Sequence, residues 1–294
     1  DDEVKVALLM RHAHLLDAKA NDPDGALDRV LRACNLAPGD EDVLETAEEL
    51  APRAGRAEEL FVVYDRRRAK SEDDAGRVEA LLRGAKLADT ALEDRERTMD
   101  LVRQAVLSSK SPELLTVIEA TVHELDDRRP DLEAGAALLS LVGIYQGLAE
   151  KVAEDAPEVS AVMLRRAGRV CLDCLDDPKS GLKYLVRATT YASDDAEILD
   201  ELEQVSEQQG RLDAFQKHLD KLVQEALDQA TAAALLMRRG RVLEVELERY
   251  GEAADVFTRL LALKRNDPEA PPRLRNCLRK AGRHQDLLMA LEKE

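Results

Sequence analysis

The 294-residue sequence has no tryptophan, three phenylalanines and five tyrosines. An aromatic core is excluded, and burial falls to leucine, valine and alanine, the materials of packed helices. Four cysteines without paired spacing in a chain this long do not form a disulfide framework. The longest uncharged stretch, Ala134 to Ala149, falls short of the roughly 20 residues a membrane-spanning helix needs. No basic-apolar-small pattern opens the chain, so no signal peptide is visible, and a reducing cytoplasm is the expected compartment. The start at Asp1 rather than Met suggests a segment of something longer. No Gly-rich phosphate loop, GxSxG elbow or HExxH occurs. Nothing assembles a nucleophile, a base and an oxyanion site, and the expectation is a non-enzymatic chain without metal or cofactor.

What is abundant is charge. Asp and Glu number 60 against 43 Lys and Arg, a net charge of −17, which argues against a general nucleic-acid or anionic-membrane binder. Hydrophobic residues still reach 45%, so the chain does not have the composition of a disordered one. The excess of Arg over Lys hints at a GC-rich bacterial genome.

Four segments repeat one pattern: LLMRHAHLL from Leu8, LLRGAKLA from Leu81, MLRRAGRV from Met163 and LLMRRGRV from Leu235. Small or apolar residues recur at 4-3-4 spacing, the stripe of an amphipathic helix. The sets are Leu9, Ala13, Leu16, Ala20; Leu81, Ala85, Ala88, Leu92; Met163, Ala167, Val170, Cys174; and Leu236, Gly240, Leu243, Leu247. A second helix follows each, with close-packing residues at Ala26, Val30, Ala33; Thr98, Val102, Ala105; Gly181, Leu185, Ala188; and Ala253, Phe257, Leu260. Each pair reads as a helical hairpin. Asp22-Pro23, Ser111-Pro112, Asp177-Pro178 and Asp267-Pro268 are helix starts, and Gly55, Gly210 and Gly282 are left-handed helix stops. The repeats divide the chain into four double-hairpin units, approximately 3–72, 73–156, 157–227 and 228–294, in one array of about eight hairpins. The second unit is about ten residues long in excess, and the excess is assigned to a last helix over Asp131 to Glu154.

The chain resembles the tetratricopeptide repeat (TPR) family. Ala26-x3-Val30-x2-Ala33-x4-Pro38 is similar to the second-helix signature of that repeat, and Leu44, Gly55, Glu58 and Leu60 follow at the family's spacing. The third and fourth units keep Gly210 and Gly282 without the closing Pro, and Leu, Ala or Val replace the consensus Trp, Gly and Tyr. The resemblance covers essentially the whole chain and is similar to the degenerate arrays of long bacterial TPR scaffolds. It implies an all-α, right-handed α-solenoid of about eight hairpins, a scaffold that takes a partner peptide or helix in a concave groove lined by first helices.

Arg11, Arg83, Arg165 and Arg238 align in the four units, with His14, Lys86 and Arg241 three residues on and Gly168 breaking the row. The resemblance places this face in the groove, where arginine would hold the carboxylates of an acidic partner. The alternate first helices carry Glu45, Glu49, Glu197, Asp200 and Glu201 on the corresponding face, so the arginines equally suit pairing between neighbouring helices. The family's clamp for C-terminal carboxylates is not implied, because His14, Lys86 and Gly168 stand at its asparagine positions. Leu138, Leu141, Gly143 and Gly147 are a candidate oligomer or partner surface, against the alternative of burial within the chain. Among the thiols, the alignment puts Cys174 in the core and leaves Cys171 accessible. A regulatory module of a larger protein and a self-associating spacer are the alternatives to the scaffold.

Overall fold

The computed structural model describes residues 2–128 and 134–292. The described residues form sixteen α-helices: α1 (Asp2–Ala20), α2 (Pro23–Leu36), α3 (Glu41–Arg53), α4 (Glu59–Lys70), α5 (Asp74–Ala91), α6 (Arg95–Ser108), α7 (Pro112–Asp127), α8 (Ala136–Val152), α9 (Pro157–Arg169), α10 (Pro178–Tyr191), α11 (Ala196–Gln208), α12 (Leu212–Glu225), α13 (Gln229–Arg241), α14 (Tyr250–Leu263), α15 (Ala270–Lys280) and α16 (His284–Glu292). The chain divides into two compact units, Asp1–Ile144 and Tyr145–Glu294. Within each, helices pack in TPR-like hairpins, with odd-numbered first helices and even-numbered second helices.

The cores are as aliphatic as the composition requires. In the first unit Ala26, Leu27, Val30, Ala33, Leu44, Ala47 and Leu60 are buried together. In the second, Ala253, Phe257, Leu260, Leu274 and Cys277 form one cluster, and Leu185, Leu202, Phe215 and Leu219 another.

The start signals act as side-chain caps, each typically worth about 1 kcal/mol. Asp22 accepts from the Gly25 amide at 2.9 Å, Ser111 from Leu114 at 3.4 Å and Asp177 from Ser180 at 3.1 Å. Asp267 accepts from the Glu269 and Ala270 amides, although α15 begins two residues beyond Pro268. Gly55, Gly210 and Gly282 lie in the left-handed region. The amide after each, on Arg56, Arg211 and Arg283, bonds back to the carbonyl of Ala51, Ser206 and Leu278, a Schellman ending.

Four first helices end differently. Asn21, Glu93, Asp176 and Glu248 adopt positive φ without being glycine. The residue after each donates its amide six positions back: Asp22 to Leu16, Asp94 to Ala88, Asp177 to Cys171 and Arg249 to Leu243. The last turns of the third and fourth, Val170–Cys174 and Val242–Glu246, are π-helical. This shared exit fixes the structural register. Cys171 is equivalent to Leu16, Ala88 and Leu243, and Gly168, not Ala167, is equivalent to Ala13, Ala85 and Gly240.

The sequence alignment of the third unit is therefore one residue out. Cys171 is buried and Cys174 exposed, the reverse of the expectation. By the same register Arg166, not Arg165, stands at the position of Arg11, Arg83 and Arg238.

The extra length of the second repeat is shared rather than confined to its last helix. Helices α7 and α8 run 16 and 17 residues, against 13 and 12 in α3 and α4. Residues 131–133 of the expected Asp131 to Glu154 helix lie outside the described residues.

Candidate functional site

Of the clefts lined mainly by first helices, two hold expected groove residues, each within one unit; a third, of about 510 Å³, lies between α1 and α3. The larger, about 890 Å³, lies between α3, α5 and α7; Glu48, Glu79, Arg83 and Lys86 give it polar walls, and Leu82, Leu114 and Val117 apolar ones. The smaller, about 550 Å³, lies between α11 and α13, lined by Asp200, Glu203, Glu207, Leu235, Met237, Arg238 and Arg241 among others. Of the expected groove residues, Arg83 and Lys86 line the first and Arg238 and Arg241 the second. Arg11, His14 and Arg165 line neither. Arg11 and His14 are exposed on α1, and among the described residues neither makes a side-chain hydrogen bond or ion pair.

The other basic residues are already occupied by carboxylates of the array. Arg83 donates to Glu48 at 3.1 Å, to Glu79 at 3.0 Å and to Glu41. Burial alone would lower its pKa, but Glu48 and the other carboxylates outweigh it and hold the guanidinium above its ordinary value. Arg165 grips Glu201 with two donors, at 3.0 and 2.6 Å, and Glu197 with a third at 2.7 Å. Its pKa is raised, chiefly by the hydrogen bonds it donates to Glu201. Arg238 holds Glu203 at 2.7 Å and Asp200 at 2.5 Å. Lys86 reaches Glu124 at 2.8 Å and Arg241 reaches Glu269 at 2.6 Å.

The acidic helix α11 is thus bracketed, by Arg165 of α9 on one side and Arg238 of α13 on the other. Acids and bases alternate along the first helices as the sequence suggests, but α3 meets Arg83 with Glu41 and Glu48 rather than with Glu45 and Glu49. Tyr64 adds a hydroxyl bond to Glu48 at 2.9 Å. Burial, then Glu48, pushes its pKa far up, so it stays a neutral donor.

The candidate surface on α8 separates into two kinds of residue. Leu138 and Leu141 are buried, so they cannot serve as an exposed contact; the helix is amphipathic and these two face inward. Gly143 and Gly147 are exposed, with open space where a Cβ would stand. The Asp126 carboxylate accepts from the Ala137 and Leu138 amides at 2.8 and 3.0 Å. This cap from α7 had no local sequence signal.

Among the described residues no group of three or more His, Cys, Asp or Glu could hold a metal ion. No helix there is long and apolar enough to cross a membrane.

The fold defines a class: an all-α repeat protein built of helical hairpins. No protein-family model matches the sequence, and comparison with curated proteins finds no relative. Solved structures do match. One is the TPR2AB domain of yeast Sti1 in complex with pHSP90, with 13% identity, 94% of this chain and 98% of that chain covered, and a TM-score of 0.31. A tetratricopeptide repeat protein from Parabacteroides merdae shares 13% identity over 93% of this chain and 99% of its own, with a TM-score of 0.29. Yeast Tom70 shares 12% identity over 100% of this chain and 69% of its own, with a TM-score of 0.31.

Proposed function

We propose that the chain is a non-enzymatic protein-protein interaction scaffold whose first-helix clefts take a peptide or helix of a partner protein. The observation that supports this reading is that both clefts combine apolar walls with charged rims. In the larger, Val117 is exposed beside half-buried Leu114, while Glu48, Arg83 and Lys86 stand at the edge. Such a mixture suits an amphipathic segment better than a small molecule.

The arginine ladder has a different task in this proposal. Arg83, Arg165 and Arg238 hold neighbouring first helices in register, because their donors are spent on Glu48, Glu201 and Glu203. Acidic groups of a partner would meet Arg11 and His14, which carry no such load.

The test is capture from the native organism with the wild-type chain and with Val117→Glu and Ala234→Glu, one in each cleft. A partner retained by the wild type and lost by one variant, at unchanged helicity and thermal midpoint, is the expected result. Equal retention by all three, or no partner for any, overturns the reading.

A further inference from the structure

The cleft between α11 and α13 differs from the larger one in the sign of its charge. In the larger cleft, Glu48, Asp73 and Glu79 are balanced by Arg83, Lys86 and Arg128. In the α11–α13 cleft four carboxylates, of Asp194, Asp200, Glu203 and Glu207, stand against Arg238 and Arg241. Both arginines are already spent. Arg238 is shared between Asp200 and Glu203, and Arg241 turns to Glu269, which is not part of the lining. Asp194 and Glu207 are exposed, and among the described residues neither side chain makes a hydrogen bond or ion pair.

The helix that these two acids border needs neither of them. Asp195, not Asp194, caps α11, accepting from the Glu197 and Ile198 amides at 2.9 and 3.1 Å. Glu207 stands in the last turn of α11, at the negative end of the helix dipole, where a cation is favoured and a carboxylate is not. The acids mark opposite ends of a 13-residue helix, which at 1.5 Å per residue is about 20 Å long. Between them the cleft is apolar. Leu199 and Leu235 form a buried floor, and exposed Ala234 and half-buried Met237 line the α13 side. First helices flank it on both sides: Arg165 of α9 holds Glu201 of α11, and Arg241 of α13 holds Glu269 beside α15. Its opening is therefore a feature of the interior of the array.

We propose that the α11–α13 cleft selects a basic amphipathic helix of a partner protein. The helix lies along α11, its apolar face over Leu199, Ala234 and Leu235, with a lysine or arginine near each end on Glu207 and Asp194. Met237, unbranched and flexible, adjusts to the side chains that enter. The excess of carboxylates attracts such a segment and repels an acidic one, which makes charge the selective element. The cation on Glu207 also answers the negative end of α11. The proposal rests on the reading of the clefts as partner sites and adds to it the sign of the partner's charge.

The test is fluorescence anisotropy of the full 294-residue chain with two labelled amphipathic peptides of about 14 residues. Both carry the same Leu/Ala face; one has Lys and the other Glu at the polar positions. The Lys peptide is expected to bind at least about tenfold more tightly than the Glu peptide, and to weaken between about 50 and 300 mM salt. Asp194→Asn with Glu207→Gln is expected to cost the Lys peptide about tenfold, at unchanged helicity and thermal midpoint, since both carboxylates are exposed and unpaired. Glu96→Gln with Glu154→Gln removes the same charge from exposed positions outside the cleft and is expected to change binding less than about twofold, because distant charges are screened. Equal binding of the two peptides, wild-type affinity in the cleft variant, or an equal loss in the outside variant overturns the charge selection and leaves the clefts as partner sites. Binding of neither peptide up to about 1 mM overturns it together with the reading of this cleft.

Discussion

Gly168 and Gly181 meet backbone to backbone where α9 crosses α10. A Cβ on Gly168 would stand 3.2 Å from the Gly181 carbonyl oxygen, and one on Gly181 3.3 Å from that of Gly168. Threonine occupies the second-helix side of the same crossing in α5 and α6, where the Thr98 hydroxyl donates to the Asp94 carbonyl at 2.8 Å and stands 3.5 Å from the Ala85 carbonyl oxygen. At the α13–α14 crossing Gly240 faces the Phe257 ring, which a Cβ would approach to 2.5 Å. These glycines are spacers that set how closely two helices pack.

The glycines of the chain should therefore respond to alanine in opposite directions. Gly240→Ala must displace a fully buried ring, and overpacking of that kind costs about 1–3 kcal/mol. Gly143→Ala and Gly147→Ala meet no neighbour within 4 Å and should each gain up to about 1 kcal/mol from helix propensity alone. Urea denaturation of the three variants measures both signs. If Gly240→Ala is as stable as Gly147→Ala, the spacer account fails.

The same crossing shows where the sequence was readable. Hairpins, proline starts and glycine stops carry strong local signals, because a cap or a positive φ restricts residue choice at one position. The exits at Asn21, Glu93, Asp176 and Glu248 carry no such signal: four different contexts reach the left-handed region, held by an amide bond six residues back that no residue type announces. Without that anchor, Ala167 and Gly168 are equally plausible small residues, and a one-residue slip exchanges the inner and outer thiols. The ion pairs of Arg83, Arg165 and Arg238 were half legible. Alternating charge was visible, whereas the choice of Glu41 and Glu48 over Glu45 and Glu49 depends on helix rotation that only packing sets.

The register of α9 and its last turn decides which thiol can react. Cys174 is exposed, while Cys34, Cys171 and Cys277 are buried, and burial pushes these three thiols up to about 11, 11 and 12. Since the thiolate is the reactive form, the native chain at pH 8 should take up one equivalent of a thiol reagent. Cys174→Ser should abolish that uptake, and denaturant should release three more thiols from the wild type. Rapid native labelling of Cys171 would show that the register assigned from the helix exits is wrong.

The pairing of Arg165 with Glu201 should be measurable as a coupling. Both side chains are about three quarters buried, and the bidentate geometry makes this pair stronger than a typical surface one. A double-mutant cycle with Arg165→Gln and Glu201→Gln is expected to give about 1 kcal/mol, at the upper end of the range of exposed pairs and weakening with salt. Reversal to Arg83→Glu with Arg165→Glu should lower the thermal midpoint sharply, since each new carboxylate faces at least two others. A reversal that leaves stability intact would remove the arginines from any role in holding the first helices together.

His218 supplies a pH dependence of definite sign. Its ring lies 2.8 Å from the Thr189 hydroxyl, and burial, with Lys221 adding to it and Glu225 opposing, holds its pKa below the ordinary 6.5. The unfolded chain therefore takes up the proton first as pH falls, binding more protons than the folded one, so this site's contribution declines on acidification through 6.5 and is present in full above it. Stability measured by urea denaturation between pH 7.5 and pH 5.5 (a span of about two units around that value) should fall more steeply in the wild type than in His218→Gln, which keeps a polar group for Thr189 without titrating. Equal slopes for the two proteins would mean that His218 is free to ionise in the folded chain, and that its partial burial against α10 does not constrain it.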